Sequence, residues 1–177
     1  MKRLTRLVLA VAAMAIYANS VWAAEEGTAR ILAPWQSGGQ VFRIEPGKLL
    51  FQGQAEGIMY IESGEGVLDA ALFVCPSRRE ISIADREVKA SGQCIIEGAN
   101  GDTVFAKFSC TGEPGICVGK FTLTGGTGKF KGITGESDML VRTAIAQIAA
   151  DMESGATVSG AAGLAVWPNM SYKIPGN

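Results

Sequence analysis

The sequence predicts an all-β fold, a sandwich or barrel, and three observations carry that expectation. Turn signals recur at short intervals, including Glu45-Pro46-Gly47, Ala99-Asn100-Gly101-Asp102 and Glu113-Pro114-Gly115, which is the rhythm of strands joined by tight turns. Between them, apolar and polar residues alternate with the two-residue period that puts one face of a strand on a core. The stretch 125–135, Gly-Gly-Thr-Gly-Lys-Phe-Lys-Gly-Ile-Thr-Gly, sets five glycines in eleven positions around one aromatic. That composition fits a sharply bent strand, where side chains at the bends would clash.

At the N-terminus, Lys2, Arg3 and Arg6 precede an apolar run over 7–16, and the segment closes on Val21-Trp22-Ala23. This is the pattern of a secretory signal peptide over 1–23, cut after Ala23. A permanent membrane span needs about 20 mostly apolar residues, and Tyr17, Asn19 and Ser20 interrupt this one. The mature chain is therefore expected to be exported, periplasmic or extracellular, without a transmembrane anchor. Residues 24–37 read as a loosely held lead-in and 38–177 as a single domain. A chain of that size buries about 70% of its unfolded surface around one core.

From 48 to 62, one parity carries Leu49, Phe51, Ala55, Met59 and Ile61. The other carries Gln52, Gln54, Glu56 and Glu62 beside Leu50, Ile58 and Tyr60, so the segment is a long half-buried strand. Gly53 and Gly57 fall on its apolar face, where glycine lets a strand bend around a small barrel. Ser63-Gly64-Glu65-Gly66 turns the chain into 67–75, which is apolar on both parities except at Asp69. Arg78-Arg79 beside Glu80 reads as a solvated turn. Further strands are expected over 87–97, 103–110, 116–124, 130–134 and 156–167. Over 139–152 two readings compete. Val141, Ile145, Ile148 and Met152 sit at helical spacing among helix-favouring alanines, whereas Ser154-Gly155 can turn a strand into the next one.

Cys75, Cys94, Cys110 and Cys117 are an even set in a chain expected to meet an oxidising compartment. Val104, Ala106 and Phe108 share parity with Cys110, and Phe121 and Leu123 share parity with Cys117. Both sulfurs then face one side of a hairpin turning over 111–116, with Cys110 directly across from Cys117. That leaves Cys75 to pair with Cys94. Gaps of 18, 15 and 6 residues between successive cysteines lack the short pairs that zinc modules use, so no metal site is expected.

The chain contains no histidine, which removes the commonest general base and metal ligand. No cofactor is implied. Loss of 1–23 takes three of the 16 basic residues and none of the 17 acidic ones, leaving a net charge of −4. Such a surface favours neither nucleic acid nor anionic lipid. The glycine run is no phosphate-binding loop, because Lys129 is followed by Phe130 and Lys131 stands where a dinucleotide fingerprint needs its third glycine.

The run Gly125-Gly126-x-Gly128-Lys129-Phe130-x-Gly132-x-x-Gly135 resembles the signature strand of the allene oxide cyclase and dirigent-like superfamily. The resemblance implies an antiparallel barrel of about eight strands over 38–177, calycin-like in outline, whose interior can hold one small apolar molecule. It also implies another long strand after the glycine run, which favours strand over helix at 139–152. Plant members include a cyclase of an unstable epoxide and guides of radical coupling, often as oligomers. None of their catalytic residues aligns here. The expected function is a non-catalytic binding barrel for a small apolar molecule or an envelope partner. Its lining candidates are Leu49, Phe51, Met59, Phe105 or Phe108, Phe121 and Leu123. An isomerase or cyclase would instead draw on Asp69, Glu62 and Arg142, with Asp69 foremost because it interrupts an apolar strand. A homo-oligomer or surface-assembly subunit would make contacts through its strand edges or around Trp35 and Trp167.

Overall fold

The computed structural model describes residues 24–144 and 158–176. The leader over 1–23 and residues 145–152 of the contested segment 139–152 lie outside the described residues. Eight antiparallel strands follow in chain order: β1 (Glu25–Glu45), β2 (Lys48–Ile61), β3 (Ala71–Ser82), β4 (Glu87–Glu97), β5 (Thr103–Glu113), β6 (Ile116–Gly126), β7 (Thr134–Thr143) and β8 (Val158–Ile174). Each strand pairs with its sequence neighbour, and β8 pairs with β1 to close the barrel. Closure leaves no strand edge along the sheet.

The alternation read in the sequence becomes an inside and an outside. Ala33 and Trp35 of β1, Phe51 and Met59 of β2, Phe73 and Cys75 of β3, and Val104 and Ala106 of β5 are buried. Outward positions carry charge pairs such as Arg78 with Glu80 and Lys120 with Asp138. These exposed pairs add little stability, but they face the barrel wall toward water.

Three expectations about the elements are corrected. Residues 25–37, read as a lead-in, form the first part of β1, paired with both β2 and β8. Pro34 concealed that strand. It has no N–H to give to a ladder, and the β1–β2 register skips from Leu32↔Tyr60 to Trp35↔Gly57 around it. The strand expected over 67–75 begins only at Ala71, after a turn containing Asp69, and runs on to Ser82. The final strand likewise continues past Trp167 to Ile174. Residues 139–143 are strand, within β7.

The third correction concerns the glycine run, which connects two strands instead of forming one bent strand. Gly125 and Gly126 end β6, Gly128–Phe130 forms a single 3-10 turn, and β7 starts at Thr134. Positive φ at Gly125, Gly128 and Gly132 explains three of the glycines, since L side chains rarely enter that region. The Asp102 carboxylate accepts from the Lys129 amide at 3.0 Å, and Thr127 Oγ1 accepts from the Thr103 amide at 2.8 Å. These bonds tie the connection to the β4–β5 turn and press Phe130 and Ile133, both buried, into that end of the barrel.

Two disulfides, Cys75–Cys94 and Cys110–Cys117, staple β3 to β4 and β5 to β6. Cys110 does not stand directly across from Cys117. The register pairs Cys110 with Gly119 and Gly112 with Cys117, because the hairpin turns on Pro114-Gly115 alone, so the bridge is diagonal. Its Cα atoms lie 5.5 Å apart, within the range a bridge spans. Removing either bridge by paired Cys→Ala substitution is expected to cost about 2–4 kcal/mol in denaturant unfolding. A loss below about 0.5 kcal/mol would show that the ladders alone hold these hairpins.

Candidate functional site: two chambers in the barrel lumen

Inward side chains do not fill the lumen. Phe121 of β6 and Trp167 of β8 meet with ring centroids 4.7 Å apart and planes tilted by 58°, a favourable edge-inclined aromatic contact. Both rings border space on either side, so they form a septum dividing the lumen into two chambers.

The larger chamber, about 340 Å³, lies toward the glycine-rich connection and is bordered by Met59, Val104, Leu123, Phe130, Ile133 and Met170. Its size falls in the range of small-molecule sites. Two of its charges, Lys129 and Glu25, pair with each other. Lys129 Nζ lies 3.1 Å from Glu25 Oε2, and the Tyr172 hydroxyl donates to Glu25 Oε1 at 3.4 Å. Burial, reinforced by the Glu25 carboxylate, raises the Tyr172 phenol above its ordinary pKa, so it stays a protonated donor at neutral pH.

The smaller chamber, about 80 Å³, lies toward the β5–β6 turn. All four cysteines border it, together with Trp35, Phe73, Phe108 and Arg79. Arg79 reaches it because β3 is one uninterrupted strand, so Phe73, Cys75, Ser77 and Arg79 share its inward face. The register sets Phe51 beside Arg79. The guanidinium carbon sits 5.9 Å from the centroids of both Trp35 and Phe51, inside cation–π range. Desolvation lowers the Arg79 pKa from its ordinary value, yet arginine stays charged at any physiological pH. Among the described residues, the guanidinium has no carboxylate partner.

The sequence-predicted residues separate clearly in this geometry. Met59 and Leu123 border the larger chamber, Phe121 borders both, and Phe108 borders the smaller one. Phe105 faces outward and is exposed. Leu49 and Phe51 border neither chamber; Phe51 instead supports Arg79 from the side. The three candidate catalytic groups are not brought together. Asp69 accepts a hydrogen bond from the Ile61 amide at 2.9 Å and so braces the β2–β3 turn. Glu62 pairs with Arg30 at 3.6 Å on the surface, and Arg142 is exposed on β7. None of the three lines a chamber.

Arg79 was the residue sequence reasoning misplaced. Pro76-Ser77-Arg78-Arg79-Glu80 has turn-like composition, but it lies within β3, where Arg78 alone is solvated and pairs with Glu80 on the outer wall. Parity held the missing signal: Arg79 stands four residues after Cys75, on the same face of a strand.

The fold and the chambers define a closed eight-stranded antiparallel barrel, disulfide-stapled, with a divided apolar lumen. No protein-family model, curated protein or solved structure matches the chain. Among the described residues, no group of three or more His, Cys, Asp or Glu is placed to hold a metal ion.

Proposed function

We propose that the protein is an exported binding barrel that holds a small, largely apolar molecule in its lumen. The observation that carries this reading is the chamber of about 340 Å³, walled by apolar side chains where a protein built only for stability would pack to density. The two disulfides support export, because such bridges persist in oxidising compartments, periplasmic or extracellular. With Asp69 serving a turn and Glu62 and Arg142 on the surface, the geometry favours binding over an isomerase reaction built on those residues.

Membership of the allene oxide cyclase and dirigent-like superfamily is proposed more loosely. The eight-stranded architecture supports it.

A second reading, as a homo-oligomer or a partner of an envelope protein, draws on the outer wall. Ile58, Leu72, Ile95 and Phe105 are exposed on β2, β3, β4 and β5, and registers Ile58↔Leu72 and Ile95↔Phe105 set them side by side in pairs. Exposed apolar patches of this kind mark contact surfaces.

Native mass spectrometry of the protein from its own compartment tests both readings. The expected result is a monomer carrying a retained small molecule, displaced when Ala29→Leu or Leu123→Phe narrows the larger chamber. An empty monomer that also fails to bind a neutral apolar dye would sink the binding reading. An empty multimer would support the second.

A further inference from the structure

Three side chains that only donate, Arg79, Trp35 and Trp167, border the smaller chamber. Arg79 offers up to five N–H groups and no acceptor. Trp35 and Trp167 are 6% and 4% exposed, and both indole Nε1 atoms are buried without a hydrogen-bond partner among the described residues. A buried donor left unmade costs stability, and a buried cation without a counter-charge costs more. Two buried indoles and a half-buried guanidinium around one chamber are hard to account for as packing, because a leucine or methionine at position 79 would fill the space at no electrostatic cost.

The larger chamber is the contrast. There Glu25, Lys129 and Tyr172 satisfy one another. At the smaller chamber the nearest carboxylate of the lining, Glu113, is 72% exposed at the rim and lies 3.7 Å from Arg86, so it is engaged on the outside. Among the described residues, the positive charge of Arg79 is therefore left to something that enters.

We infer that the smaller chamber is a site for a small monocarboxylate, with the carboxylate received by Arg79 and the two indole N–H groups and its apolar body held against Phe73, Phe108 and the disulfides. Three features select this class. The Arg79 guanidinium and the two indole N–H groups only donate, so they call for a ligand head that only accepts. A single guanidinium balances a single negative charge, which a carboxylate carries, whereas a phosphate dianion would bring a second charge into an apolar wall. The chamber's size of about 80 Å³ admits a short chain or part of one ring, given that an apolar cavity of about 150 Å³ accepts a whole benzene. The inference rests on the lumen-binding reading above and adds the charge of the ligand and the end of the barrel that reads it.

The test follows the ¹H–¹⁵N resonances of the Trp35 and Trp167 indole groups while the disulfide-intact protein is titrated with propionate and butyrate, with the neutral propionamide and butyramide, and with inorganic phosphate. Wild type is expected to bind the acids about 10- to 100-fold tighter than their amides, with saturable shifts at both indoles. Arg79→Met is expected to erase that preference while its unfolding temperature stays level or rises, because an unpaired buried charge has gone. Arg79→Lys is expected to keep part of the preference, having the charge without the planar fork.

Equal binding of acids and amides would overturn the inference. So would phosphate binding tighter than the acids, or an Arg79→Met protein that loses stability with no change in selectivity. Indoles silent to every probe, while a neutral dye still fills the larger chamber, would overturn the monocarboxylate site alone. Failure of the dye as well would overturn the lumen-binding reading beneath it.

Discussion

Replacing Phe121 by alanine is expected to join the two chambers and to lower stability by about 3–5 kcal/mol. The ring is buried at 3% exposure and forms one half of the septum, in contact with Trp167. Its removal deletes both the transferred apolar surface and the aromatic pairing, and it leaves a cavity that the barrel cannot close. Neighbouring strands are held at fixed spacing by their ladders, so the walls have little room to relax inward. The unfolding midpoint should fall by about 10 °C, and the enlarged lumen should accept dyes that the wild type excludes. A loss below about 1 kcal/mol, with dye binding unchanged, would mean that Trp167 swings across and rebuilds the partition.

A comparably large effect is expected at Gly39, with its neighbour as internal control. A Cβ at Gly39 would collide with the Gln52 carbonyl and come within 2.6 Å of the Gly53 Cα and 2.8 Å of the Phe51 ring. Gly39 and Gly53 stand opposite each other in the β1–β2 register, so the two backbones approach where neither residue has a side chain. Gly39→Ala must push β1 away from β2, at about 3 kcal/mol or more. Gly38, one residue away, points to the other face, and a Cβ there meets nothing within 4 Å. Gly38→Ala is expected to change stability by about 0.5 kcal/mol or less, or to raise it slightly by restricting the unfolded chain. Matched denaturant curves for the two variants would read the difference, and similar midpoints would refute the close approach of β1 and β2.

Much of the wall was legible in the residues. The strand Glu87–Glu97 matches its sequence reading at both ends, since turn residues flank it on each side. Leu123, Phe121 and Cys117 announced the inward face of β6 by parity, and the cysteine pairing followed from the same period. Those signals are local: alternation is a property of a strand before it has any neighbour.

The failures share one cause. Residues 25–37 contain Pro34 and the polar Gln36 and Ser37, and Gly38 and Gly39 follow, so their intrinsic strand signal is weak. They become strand because β2 and β8 flank them on both sides once the barrel closes, a contribution no local window contains. The glycine run has the composition of a bend, but whether the bend falls within a strand or between strands depends on Asp102, which lies 27 residues from its partner Lys129.

By itself, then, the sequence determined what each strand must bury and which cysteines share a face, because a two-residue period assigns sides without reference to any partner. Tertiary structure alone decided where the emptiness lies and which charge looks into it. Chamber volume is what remains after eight strands from distant parts of the chain set their spacing, and Arg79 is desolvated only because Trp35, Phe51 and Phe108, from three other strands, surround the place where its own strand's parity points it.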